Sequence, residues 1–275
     1  MADLPDPHAP GRLPRLVATD LDGTLLHSDG TVTARTREVL AELDARGVPV
    51  VFVTGRPIRW MEQLWEEVGG HGLAICSNGG IVYDVATHSI RNALTIEPDI
   101  ASRVGRLLKR SIPGTVFALE KTGGFAREGE FIPRADPSPE IPVGPLDAIL
   151  DTSVVKMLAR HDEHPPEPFW HQVEELVGSL VTTTWSSTFT LVEMSAKGVT
   201  KASTLERLCR ELAIAPEEVV AFGDMPNDIP LLQWAGTSYA MGNAHPSVQA
   251  TATGTAPDHD HDGVAQVLAD LFDLG

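Results

Sequence analysis

The side chains of this chain that could do chemistry recur in one kind of place, directly after a short apolar run. Asp20 and Asp22 follow Leu16-Val17-Ala18-Thr19, and Thr54 follows a run that begins at Val48 and ends at Val53. Asn78 follows Leu73-Ala74-Ile75-Cys76. Asp224, with Asn227 and Asp228 behind it, follows Val219-Val220-Ala221-Phe222, and Asn243 follows Ser238-Tyr239-Ala240-Met241. Carboxylates from separate runs, Asp20 and Asp224, can hold a hard cation through oxygen. Such a cation screens a phosphate dianion that would otherwise repel an aspartate nucleophile. A carboxylate can attack phosphorus and form a covalent intermediate. Asp22 stands two residues on, where a tight turn can aim it at the leaving oxygen; there it can protonate an alcohol and later deprotonate water. Thr54 offers a hydroxyl and an N–H to equatorial oxygens, and a lysine would add positive charge for the transition state. The chemistry this pattern points to is phosphoryl transfer.

The apolar runs must be strands, because they are short and partly β-branched, and periodic helical stretches alternate with them. The helices read at 34–46, 58–68, 98–110, 166–177, 200–212, 229–234 and 264–272. Alternation of this kind predicts an α/β fold, a doubly wound and mostly parallel Rossmann-like sheet, with its ligand beyond the carboxyl ends of the strands. Between 83 and 190 the rhythm breaks. Strands read at 115–119, 154–160, 180–184 and 188–194, and a proline-rich loop at 133–145. This stretch is expected to be an inserted α+β domain. The expected division is a disordered lead-in at 1–14, a core formed by 15–82 and 191–275, and the insert at 83–190.

The chain has 275 residues, 42% of them hydrophobic and 21% charged, and a formal net charge of −17. That balance argues against a nucleic-acid partner. No stretch reaches the roughly 18 apolar residues of a membrane span, and the first residues lack the basic and apolar regions of a signal peptide. Two cysteines, Cys76 and Cys209, fit reduced usage. A cytoplasmic protein is expected, monomeric or homodimeric.

Asp20-Leu21-Asp22-Gly23-Thr24 resembles motif I of the haloacid dehalogenase superfamily, D-x-D-G-T. The stretch from Val51 to Arg56 resembles motif II, and Gly223-Asp224-Met225-Pro226-Asn227-Asp228 resembles motif IV, G-D-x-x-N-D. Ser77-Asn78-Gly79-Gly80 and Met241-Gly242-Asn243-Ala244 are similar to stretches of its Cof-type branch. The long insert between motifs II and III resembles the C2 cap class, C2B in particular. The resemblance implies a magnesium-dependent phosphatase of small phosphomonoesters, such as sugar phosphates, working through an aspartyl-phosphate. Asp20, Asp22, Thr54 and Lys201 would be catalytic. Gly55, Arg56, Asn78 and Asn227 would face the substrate, and Asp20, Asp22, Asp224 and Asp228 would surround Mg2+.

Lys197 and Lys201 both qualify as the motif III lysine, and the family pattern favours Lys201, which opens a helix. Asp228 is open between ligating the metal and orienting Asn227. Asn78 can equally serve as a turn residue with positive φ. The run from Asp258 to Asp262 alternates Asp and His, lacks helical histidine spacing, and reads as a polar loop. Phosphotransfer to a second hydroxyl, or a catalytically weak binding role, are the other functions such a chain could have.

Overall fold

The structure is a computed structural model that describes residues 13–65, 68, 72–133, 140–186 and 189–274. β1 (Leu16–Thr19) is buried at every position. α1 (Ala34–Ala45) turns Val39, Leu40 and Leu43 inward, and its first turn is capped by the Thr33 hydroxyl, which accepts from Thr36 N. β2 (Val50–Val53), the short α2 (Glu62–Trp65), β3 (Leu73–Cys76), β4 (Ile81–Asp84) and β5 (Ser89–Ala93) follow. The chain then enters a second layer of α3 (Pro98–Ser111), β6 (Val116–Lys121), β7 (Gly124–Arg127), α4 (Leu146–Ile149), β8 (Val154–Arg160), α5 (Pro166–Val177), β9 (Val181–Thr184) and β10 (Leu191–Ala196). It returns as α6 (Lys201–Glu211), β11 (Val219–Gly223), α7 (Ile229–Trp234), β12 (Thr237–Ala240), α8 (Pro246–Gln249), β13 (Gly254–Thr255) and α9 (Gly263–Phe272).

The large sheet has the order β13-β12-β11-β1-β2-β3-β4-β5. It is parallel from β13 to β3 and antiparallel where β4 and β5 are added. β1 lies between β11 and β2, so the loops that leave these three strands converge at one edge. The cap is a separate five-stranded antiparallel sheet, β7-β6-β8-β10-β9. α3 and α5 cover it: Ala101, Val104 and Leu108 of the first, and Phe169, Val173 and Val177 of the second, share a core with Phe117, Met157 and Met194. Cap and core are joined by two short crossings, residues 94–97 and 197–200.

The fold is the expected α/β core with an inserted cap, but both cap edges move. β4 and β5 belong to the core, because they pair antiparallel outside β3, so the core's first half runs to Ala93. β10 belongs to the cap, because it is hydrogen-bonded between β8 and β9, so the cap runs to Ala196. β5 is largely exposed and has no apolar run, which is why its sequence did not read as a strand. The helix expected at 58–68 is a 3-10 turn at Ile58–Trp60 followed by α2, and residues 66–67 lie outside the described residues. So do 1–12 of the expected lead-in, 134–139 of the proline-rich loop, and 187–188 at the start of the last cap strand. Cys76 and Cys209 are both buried and free.

Phe169 is fully buried between α5 and the cap sheet. Phe169→Ala is expected to lower stability by about 3–5 kcal/mol, measured by chemical denaturation. A loss within experimental error would mean that α5 does not anchor the cap.

Candidate active site

The first strand end is shaped by a tight turn. Asp20 N donates to Phe222 O on β11, and the N–H groups of Thr24, Leu25 and Leu26 all return to Leu21 O. Gly23 sits in the turn at φ 73°, in the left-handed region that favours glycine. A Cβ there would stand 2.3 Å from Asp224 Oδ2. Glycine is therefore what allows the β1 turn and the β11 turn to close on each other.

Asp20, Asp224 and Asp228 are buried together, each with a carboxylate oxygen within 4.8 Å of the others. Lys201, the first residue of α6, enters this cluster with 1% exposure. Its Nζ donates to Asp228 Oδ1 at 2.7 Å and lies 3.0 Å from Asp20 Oδ2. The start of α6 is fixed by reciprocal capping, the Thr200 hydroxyl accepting from Ser203 N and the Ser203 hydroxyl accepting from Thr200 N. Asp228 Oδ2 accepts from Asp224 N and Met225 N, which folds the loop after β11 around that carboxylate. Thr24 Oγ1 donates to Asp224 Oδ1 at 3.0 Å. These contacts use both oxygens of Asp228 and one each of Asp20 and Asp224. Asp20 Oδ1 and Asp224 Oδ2 are left, and Asp224 Oδ2 is the atom that a Cβ on Gly23 would displace. An all-oxygen set with such a cradle fits a hard divalent cation.

Burial pushes Asp20 well above the ordinary carboxylate pKa; Lys201 opposes the shift, and Asp228 and Asp224 add to it. Burial followed by Asp228 raises Asp224 to about 7, against the pull of Lys201 and the Thr24 hydrogen bond. Burial alone would lower the Lys201 pKa, but Asp20 and Asp228 outweigh it and hold the ammonium charged.

Not every expected residue joins this cluster. Asp22, expected in the metal set, stands outside it with a 60% exposed side chain. Its two oxygens accept from Arg56 Nε at 2.8 Å and Arg56 Nη2 at 2.5 Å. Thr54 is buried at the end of β2 and its hydroxyl accepts from Arg56 N, so the hydroxyl proton is available to an acceptor. Asn78, expected on the substrate side, instead joins core to cap. Its Nδ2 donates to Thr184 Oγ1 and Glu193 Oε2, and its Oδ1 accepts from Asn227 Nδ2. Its φ is 56°, the turn conformation its sequence allowed. Of the two candidate lysines, Lys201 reaches the carboxylates, while Lys197 Nζ donates to Gly178 O. Asn243 bridges loops, donating to Gly23 O and accepting from His259 N. The polar loop from 258 to 262 is tied down by Ser28, Thr33 and His27, with Asp262 Oδ1 accepting from both Thr33 and Thr36.

The cluster opens into a cavity of about 760 Å³ between core and cap. Gly55, Arg56 and Asn227 line its core side. Its cap wall includes Glu120, Lys156 and Glu193, and Arg59 crosses from the core to bond Glu120 with both guanidinium arms, Nη2 to Oε1 at 2.9 Å. Sequence reasoning passed over Arg59 and both glutamates because nothing in their local pattern separates them from a solvated surface. Nor does the local pattern around Lys156 single it out.

A family model described as haloacid dehalogenase-like hydrolase matches residues 17–268. The chain is 26% identical over 266 residues to a 5-amino-6-(5-phospho-D-ribitylamino)uracil phosphatase of Bacillus subtilis, covering 95% of this chain and 98% of that protein. It is 28% identical over 267 residues to a pyridoxal phosphate phosphatase of Escherichia coli, covering 92% and 97%. Among solved structures, a Streptococcus mutans protein superposes with a TM-score of 0.82 at 21% identity, covering 94% of this chain and 99% of that one, a likeness of fold. No described helix is long and apolar enough to cross a membrane.

Two expectations follow from the raised carboxylates. Without a cation, the fold binds more protons than the unfolded chain between the ordinary aspartate value of 3.8 and about 7, so its stability falls as pH rises through that window. A bound divalent cation displaces those protons, and the rise in melting temperature on adding it is expected to be larger at about pH 8 than at about pH 5. An equal rise at both would count against these carboxylates as ligands. Gly23→Ala, whose Cβ takes the place of Asp224 Oδ2, is expected to remove the cation-dependent rise; a rise of wild-type size would place the cation elsewhere.

Proposed function

The chain belongs to the haloacid dehalogenase-like hydrolases and is a phosphatase, and on that premise we propose that Asp20 attacks the phosphorus of a small phosphomonoester to form an aspartyl-phosphate that water then hydrolyses. The observation that carries this reading is the Lys201 ammonium, buried between Asp228 and Asp20, of which Asp20 lines the cavity. A nucleophilic carboxylate must be ionised, and burial disfavours that here. Lys201 supplies part of the compensation. Magnesium is the cation we assign to Asp20 and Asp224, since it takes one or two carboxylates together with waters and phosphate oxygens. When bound, it neutralises phosphate charge and keeps Asp20 ionised. Asp228 acts as a positioning residue, holding Lys201 with one oxygen and the loop after β11 with the other.

Asp22 is the proton donor to the leaving oxygen and the base that then activates water. Its ion pair with Arg56 holds the carboxylate at the cavity wall in the free protein; to act as the acid, Asp22 leaves that pair and takes up a proton from water. The Thr54 hydroxyl donates to a phosphoryl oxygen, and the lysine stabilises charge that grows in the transition state. The substrate is a small phosphorylated metabolite, the kind of compound for which the two curated relatives are named.

Phosphate release from a panel of phosphomonoesters, with and without magnesium, tests this directly. Asp20→Asn is expected to abolish release, and Lys201→Met to slow it by on the order of 10²–10³. Lys197→Ala, whose ammonium lies against Gly178 in the cap, is expected to stay near wild type. Wild-type turnover in Asp20→Asn would sink the nucleophile assignment, and equal losses in both lysine variants would mean that the lysine effect is one of stability.

A further inference from the structure

Away from the phosphoryl centre, each cation lining the cavity already has a carboxylate. Arg59 is paired with Glu120 and Lys156 with Glu193. The two cap glutamates are not loosely held. Glu120 is 3% exposed and bonded by both arms of Arg59, whose guanidinium also lies 4.8 Å from the Phe125 ring centroid. Glu193 is 6% exposed; its Oε1 accepts from Lys156, and its Oε2 from Ser186 at 2.7 Å and Asn78 at 2.9 Å. Burial would raise the Glu193 pKa, but the Lys156 charge and these hydrogen bonds hold it below the usual range, so the carboxylate is charged. A substrate carboxylate could reach Arg59 or Lys156 only by competing with a buried, hydrogen-bonded glutamate, which would then be stranded. Glu62 adds another negative charge to the lining. Asn227 also lines the cavity; its Nδ2 is spent on Asn78, and among the described residues its buried Oδ1 has no hydrogen-bond partner, so a hydroxyl or an ammonium that reached it would satisfy it and an anion would not.

We infer that this site selects phosphomonoesters whose non-phosphate part carries no negative charge, a neutral polyol or an amine, and that Glu120 and Glu193 are the residues that impose the selection. The inference rests on the phosphatase reading above. The two glutamates act by occupying the cations that would otherwise recruit a carboxylate or a second phosphate. Trp60, Leu158 and Leu191 are among the apolar residues of the lining.

Three esters of one size separate the charge types: ethanolamine phosphate, ethylene glycol monophosphate and phosphoglycolate. With saturating magnesium and moderate salt, kcat/KM for the first two is expected to exceed that for phosphoglycolate by at least about tenfold, the scale of one like-charge encounter at partial screening. Where turnover is slow, the inhibition constant of each ester against p-nitrophenyl phosphate hydrolysis gives the same ranking. Glu120→Gln uncovers Arg59 and is expected to move the ratio of phosphoglycolate to ethanolamine phosphate about tenfold toward the acid. Glu193→Gln, which uncovers Lys156, is expected to move it the same way. The wild-type ranking decides the matter if either variant fails to fold. Phosphoglycolate handled as well as the other two would overturn the inference and leave the phosphatase reading standing. No magnesium-dependent release from any ester, p-nitrophenyl phosphate included, in a folded protein would overturn both.

Discussion

Three carboxylates buried within 4.8 Å of one another repel, and each has lost most of its hydration. Such a group persists in a folded chain only if positive charge is built into it. Lys201 is the part of that charge the polypeptide itself provides, and its placement depends on structure well away from the cluster. α6 must begin at that residue, which the Thr200–Ser203 capping enforces. Glycine must stand at position 23 so that Asp224 can approach. It must also stand at 223, where a Cβ would lie 2.5 Å from that of Asp228. The remaining charge is left for a cation, which makes the centre incomplete without one. The same incompleteness is what lets a phosphate dianion approach an aspartate.

A second polar system runs from the core into the cap. Asn227, in the loop after β11, donates to Asn78, in the loop after β3; Asn78 donates to Glu193 on β10; and Glu193 accepts from Lys156 on β8, whose ammonium also donates to Gly55 O at 2.7 Å. The cap therefore grips two of the loops that surround the phosphoryl centre, using groups nearly out of water. In such surroundings a satisfied network is rigid and an unsatisfied one is costly. Substrate specificity and loop position are thus carried by some of the same side chains.

Much of this was legible in the sequence because strand ends in an α/β sheet carry the chemistry, and the runs that lead to Asp20, Thr54 and Asp224 are short and apolar, with glycine close by at 23, 55 and 223. Lys201 was legible through its position at a helix start. The cap edges were not, since β5 is an exposed strand without apolar alternation, and nothing local to β10 tells that it pairs with β8 and β9 rather than with the large sheet. The role of Asn78 was hidden for a similar reason: its local turn is readable, but its partners Thr184 and Glu193 are more than a hundred residues away. Asp22 entered the metal set through the D-x-D-G-T resemblance it shares with Asp20. The turn sends its carboxylate outward to Arg56, a direction that spacing alone does not fix.

The two crossings between core and cap, residues 94–97 and 197–200, are each four residues long. Two such tethers behave as a pair of hinge pins. They favour rotation about the line that joins them over sliding, and any such rotation must break the Arg59–Glu120, Lys156–Gly55 and Asn78–Glu193 contacts that hold the cleft together. The second pin runs directly into Lys201. The capped first turn of α6 stands between that tether and the central ammonium, so strain carried along the chain from the cap meets the Thr200–Ser203 hydrogen bonds before it reaches the charge.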